Sequence, residues 1–160
     1  MSDYFSIAEM TDNNLAVRMG IDNTPSLAIL ENLGATVSGL EKVRALFGLP
    51  LHVNSGYRCE ELEMIYSERD YQIWYLRKAL HNEDTSWSCY LADKAHPKGY
   101  AADFTCAQFG TPEEVIHAIA NSNIQFDQCI LEGNWVHISF DPRMRRQLLT
   151  REFTTFGHQV

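Results

Sequence analysis

Positive charge is scarce in this chain: 13 lysines and arginines stand against 21 aspartates and glutamates, a formal net charge of −8 over 160 residues. A protein that grips nucleic acid by its phosphates needs a basic face, so this balance argues against nucleic acid as a partner. Long apolar runs are also missing. None reaches the about 20 residues needed to cross a bilayer, so no membrane insertion is expected. Residues 1–10 carry acids and polar groups where a secretory signal would carry a basic start and an apolar stretch, so no export signal is expected. Cysteine is sparse and scattered. Cys59, Cys89, Cys106 and Cys129 form no CxxC pair, and free thiols are expected, with Cys106 and Cys129 as small buried hydrophobes. Neither repeats nor low-complexity linkers are present. With 45% apolar residues the chain can build a real core, and one domain over residues 1–160 is the economical reading.

The patterning mixes helices and strands without regular alternation. Thr24-Pro25 reads as a cap and first-turn proline; Leu30, Leu33, Val37, Leu40, Val43 and Phe47 follow at helical spacing until Gly48 and Pro50. Leu51 to Val53 reads as a short strand, and Glu60 to about Asn82 as a second helix rich in aromatics. Residues 83–95 look irregular, and Ala101 to Cys106 reads as a strand. Thr111-Pro112-Glu113-Glu114 has the marks of a capping box. Phe126 to Leu131 and Trp135 to Phe140 are strand candidates joined at Gly133-Asn134. The arginines at 143, 145, 146 and 151 read as a solvated helix or tail. The fold class expected is α+β, an antiparallel sheet with packed helices.

Chemistry concentrates on two of these strands. In Trp135-Val136-His137-Ile138-Ser139-Phe140, alternation puts Val136, Ile138 and Phe140 on one face and Trp135, His137 and Ser139 on the other. An imidazole beside an indole suits a cleft. Asp103 sits among Ala101, Ala102 and Phe104, where an isolated carboxylate would be costly to bury and calls for a cation or several donors. His96 precedes it by seven residues, across the turn Pro97-Lys98-Gly99. Two imidazoles and one carboxylate are an ordinary ligand set for a catalytic zinc with one open position. Zinc lowers the pKa of a bound water to roughly 7, and a carboxylate is then needed to move its proton. Glu132, five positions before His137 across the hairpin turn, is the candidate base. Arg58, after Ser55-Gly56-Tyr57, is the candidate fixed cation for an oxyanion or a substrate carboxylate. Each signal taken alone also fits a satisfied core or surface residue.

Taken in order, Ser55-Gly56-Tyr57-Arg58, His96-Pro97-Lys98-Gly99-Tyr100-Ala101-Ala102-Asp103, and Glu132 followed by Trp135-Val136-His137 resemble the zinc D-alanyl-D-alanine peptidase family. That family shares its fold with the hedgehog signalling domain. Ala16-Val17-Arg18 and Gly20-Ile21-Asp22-Asn23-Thr24-Pro25 look like its short phage and prophage members. The resemblance implies His96, Asp103 and His137 as ligands of one zinc per chain, Glu132 as general base and Arg58 as the substrate-polarising arginine. Ser55, Tyr57 and Trp135 are expected to touch substrate. The loop could instead offer Asp127 or another acid as base. Two departures stand out: Lys94 occupies the position where members carry a serine, and the stretch between Arg58 and His96 is longer than the resemblance implies. That insertion, about residues 60–95, is expected to serve as a lid or a docking surface.

These expectations describe a zinc peptidase acting on peptidoglycan stem peptides. Its setting would be a phage or prophage lysis enzyme held in the host cytoplasm until lysis, or a virion-borne enzyme of wall entry. The alternative class is a phage-particle structural or interaction protein that keeps the fold and docks a particle protein through the insertion.

Overall fold

The computed structural model of the protein describes residues 2–151. Two short helices, α1 (Ile7–Thr11) and α2 (Asn14–Met19), lead to the long helix α3 (Leu27–Phe47). Strand β1 (His52–Ser55) follows, then helix α4 (Glu60–Leu80), the short α5 (Trp87–Leu91) and a 3₁₀ turn over His96–Lys98. Strand β2 (Ala101–Thr105), helix α6 (Pro112–Ala120), the hairpin β3 (Gln128–Glu132) and β4 (Trp135–Ser139), and β5 (Gln147–Thr150) complete the order.

The cap of α3 is Ser26, whose hydroxyl accepts from the Ile29 amide, so the Thr24-Pro25 reading sits two residues early. Its end is as the sequence reads: Gly48 adopts φ 64°, the left-handed cap that stops a helix. The capping box at Thr111 and Glu114 forms in both directions. Residues 83–95 hold one element that the sequence reading leaves irregular. Ser86 caps α5, and Tyr90 and Leu91 are buried.

The five strands lie in the order β1-β2-β4-β3-β5, and the first four are antiparallel neighbours. β5 runs parallel to β3 and corrects the reading of the arginine-rich stretch as a helix or tail. Its residues are all exposed, so no apolar alternation marks it. The flanking arginines are tied down: Arg145 grips the buried Asp127 with two hydrogen bonds of 2.7 Å, and Arg143 bonds Asp141 at 2.8 Å.

One face of the sheet carries the core. Leu33, Leu40 and Val43 of α3 and Val115 and Ile119 of α6 pack with Ala102, Phe104, Cys129, Val136 and Ile138. Residues on the other face of the same strands are left to form a site, and α4 supplies the wall over it. Among the described residues no helix is long and apolar enough to cross a membrane.

Candidate metal centre

One row across the sheet carries the chemistry. Ser55, Asp103, His137 and Ile130 are successive partners on β1, β2, β4 and β3. Regular pairing after Val53↔Phe104 would set Asn54 opposite Asp103, but a bulge puts Ser55 there. Bulges beside functional sites commonly re-aim a side chain in this way.

His96 reaches this row from the 3₁₀ turn. Gly99 ends the turn at φ 74°, and a side chain there would meet the Ile29 carbonyl at 2.9 Å. Helix α3 fixes the turn from behind: Asn32 donates to the Lys98 carbonyl at 2.8 Å, and Thr36 donates to that of Gly99 at 2.8 Å. The Ser55-Gly56-Tyr57-Arg58 segment has a job for each residue. The Gly56 carbonyl accepts from His96 Nδ1 at 2.6 Å, and a Cβ on Gly56 would come within 2.3 Å of the Met10 carbonyl oxygen. The Tyr57 amide donates to that same oxygen at 2.7 Å. Asn23 clamps the segment, donating to the carbonyls of Thr11 (2.8 Å) and Tyr57 (3.2 Å) and accepting from the Cys59 amide (2.8 Å).

The donor atoms meet at short range. His96 Nε2 lies 3.2 Å from Asp103 Oδ1 and 3.2 Å from His137 Nδ1, and the latter two are 2.9 Å apart. All three residues are buried. A carbonyl can only accept, so His96 Nδ1 carries a proton and the neutral ring presents a bare lone pair at Nε2. Burial holds the His96 imidazole below its usual pKa, and the Arg58 charge adds to that, against the pull of Asp103. Burial would push the Asp103 carboxyl up, but its contacts with His96 and His137 and the Arg58 guanidinium outweigh this. They hold it well below the usual carboxylate range. The His96 lone pair, a carboxylate oxygen of Asp103 and His137 Nδ1 thus face one another at short range, an arrangement that a cation completes once His137 turns a lone pair to it as well. Two atoms at zinc's ordinary bond length of about 2.0–2.1 Å, set tetrahedrally, lie about 3.3 Å apart. The observed separations are close to that, and two nitrogens with one oxygen are a set that zinc takes. The residues fit the metal.

Around this centre the other expected residues fall into place unequally. Arg58 Nη2 bonds Asp103 Oδ2, its Nε donates to Ser55 Oγ at 2.9 Å, and its Nη1 to Glu63 at 3.3 Å. Glu132 lines the same cavity as the three ligands, with Trp135 Nε1 donating to it at 3.2 Å and Arg151 at 3.4 Å. Burial pushes its carboxyl up, Asp103 adds to this, and His137, Trp135 and Arg58 oppose it. Ser55 and Trp135 line an adjoining cavity of ≈ 470 Å³, a size suited to a small ligand or a peptide residue or two. Tyr57 departs from expectation: it is 8% exposed, belongs to the core cluster and lines neither cavity. The next residue, Arg58, faces the cleft while Tyr57 turns inward. Asp127 is committed to Arg145 and lines neither cavity, whereas Glu132 lines both. Lys94 lies at the rim, with Nζ 4.3 Å from the Tyr90 ring centre. Sequence reasoning missed Glu63 and Asp70 of α4, which line the cavity beside Tyr66, and gave no clamping role to Asn23, which it read only as part of the Gly20 to Pro25 resemblance. The only sequence signal for Glu63 and Asp70 was the excess length of the insertion.

Residues 3–64 match the peptidase M15 family. That stretch contains the Ser55 to Arg58 segment and ends before the three candidate ligands, which the fold brings together. The match supports the resemblance to the zinc D-alanyl-D-alanine peptidases, and the buried His-Asp-His group is a candidate metal site of the kind that resemblance implies. No curated protein matches the chain.

Proposed function

We propose that this protein hydrolyses an amide bond in peptidoglycan stem peptides, with one zinc held by His96, Asp103 and His137, in the setting of phage or prophage lysis or of wall entry. The observation that carries the reading is a buried three-donor cradle sharing one cavity with a carboxylate of raised pKa, Glu132. When bound, the metal supplies a Lewis acid that activates water and polarises the scissile carbonyl. The chain's own residues do the rest. Glu132 takes the proton of the attacking water and returns it to the leaving amine, its carboxylate oriented by the Trp135 indole. Arg58 sets the second oxygen of Asp103 and places a fixed positive charge on the wall that both cavities share. Trp135 and Ser55 line the groove where the substrate chain would lie.

Mass spectrometry of purified peptidoglycan fragments, incubated with the zinc-loaded protein and with Glu132→Ala in parallel, tests this. New fragments absent from the control support the enzyme and name the bond. An unchanged fragment set with zinc bound counts against it. That outcome favours the second reading, a particle protein docking through the insertion, for which α4 offers exposed Met64, Ile73, Leu76 and Leu80.

A further inference from the structure

A carboxylate in the first turn of a helix is ordinary when it faces water, where it complements the helix dipole. Helix α4 begins with three, Glu60, Glu61 and Glu63, yet Glu63 alone turns inward and is 3% exposed. A buried carboxylate is costly unless its oxygens are occupied. Both are: Oε1 accepts from the Ser67 hydroxyl at 2.6 Å, one turn along α4, and Oε2 accepts from Arg58 Nη1 at 3.3 Å.

Arg58 has a planar fork whose edges go to different elements: Nε to Ser55 on β1, Nη1 to Glu63 on α4 and Nη2 to Asp103 on β2. The rigid guanidinium transmits orientation, because moving one edge moves the others. Asp103 is bonded to Arg58 through Oδ2 and turns Oδ1 toward both histidines. Which oxygen Asp103 offers to the centre therefore depends on where Arg58 sits, and Glu63 fixes one of its three edges.

We infer that Glu63 is a positioning residue for the metal centre, acting through Arg58, and that the helical insertion is thereby part of the site. The inference rests on the zinc-site reading above. Groups behind metal ligands commonly alter metal affinity by about 10–100-fold. Glu63 stands one step further back, so Glu63→Ala is expected near the low end, about 10-fold, with a smaller loss of the same sign for the isosteric Glu63→Gln.

The test is zinc affinity of the full chain by competition with a chromogenic chelator, with folding followed by circular dichroism. The variants are Glu63→Gln, Glu63→Ala, Arg58→Ala and the Glu63→Ala/Arg58→Ala pair. Expected are weaker zinc binding by both Glu63 variants and a double variant that binds no more weakly than Arg58→Ala alone. Folded Glu63 variants with the parent's zinc affinity would overturn the inference, as would losses that multiply in the pair. Should Glu63→Ala not fold, Glu63→Gln decides alone. Asp103→Ala serves as reference: if it keeps its zinc, the site assignment itself has failed, whereas its loss beside an unchanged Glu63→Gln sinks only the role of Glu63.

Discussion

Gly56→Ala is the smallest change that should damage both stability and the metal centre. The added Cβ would lie 2.3 Å from the Met10 carbonyl oxygen and 3.0 Å from its carbon and Cα, so the obstacle is backbone with no rotamer to yield. Restoring an ordinary contact requires the two segments to part by about 1 Å. The same Met10 oxygen accepts the Tyr57 amide at 2.7 Å, so that bond stretches as they part. On the other side, the Gly56 carbonyl holds His96 Nδ1 at 2.6 Å and moves with its own residue. Overpacking of this kind costs about 1–3 kcal/mol. For a chain of this length about 2 kcal/mol lowers the melting temperature by about 4–8 °C. Loosening the partner of a metal-ligating histidine weakens metal binding by about 10-fold or more. Thermal melting of the metal-free protein and chelator competition for zinc read the two effects separately. If Gly56→Ala melts and binds zinc as the parent does, the close approach of α1 to this segment and its hold on His96 are both refuted.

Four further outcomes are expected. His137→Ala and Asp103→Ala should each lose bound zinc as measured by metal analysis, and a full zinc per chain in both would refute the ligand set. Glu132→Ala should keep the metal and lower turnover by about a hundredfold to ten-thousandfold; near-parental turnover would transfer the base role elsewhere. Asp127 is held below the usual carboxylate range chiefly by its hydrogen bond to Arg145, with burial opposing. A depressed folded value stabilises above the unfolded pKa, so this contribution is complete above about pH 5 and fades as pH falls through about 4 and below. Asp127→Asn should cost about 2 kcal/mol at pH 7 and less in acid, and an equal cost in urea melts at pH 3 and pH 7 would count against the pairing. Burial pushes the Cys129 thiol up to about 12, so thiol reagents should reach it only after unfolding, and rapid labelling in the folded protein would contradict its packing.

Much of this was legible in the residues because alternation in a strand is a strict rule. Val136 and Ile138 did go to the core, and His137 to the face that it shares with Asp103. The helix ends at Gly48 and Thr111 followed from local chemistry alone. What escaped depends on long-range partners. β5 has no apolar face of its own and exists as a strand only because β3 offers it an edge. Glu63 hides in a run of acids that reads as a solvated helix start, and nothing local marks it as the one that turns inward. Tyr57, beside Arg58, looked like a substrate contact, yet its side chain joins the core cluster.

The transverse row from Ser55 through Asp103 to His137 also sets where this protein can change length. Each strand contributes one member, so an insertion of a single residue within β2 or β4 would throw Asp103 or His137, the candidate ligands, to the opposite face of the sheet. Loops are free of that penalty, provided that both of their ends are moored separately. The stretch from Arg58 to His96 meets this condition: Asn23 anchors the start, and Asn32 and Thr36 anchor the turn that ends it. A whole helix can therefore be grafted between Arg58 and His96 while both stay anchored, and its first turn reaches back to Arg58 through Glu63, so this segment is where such a scaffold can diversify and retune itself at once.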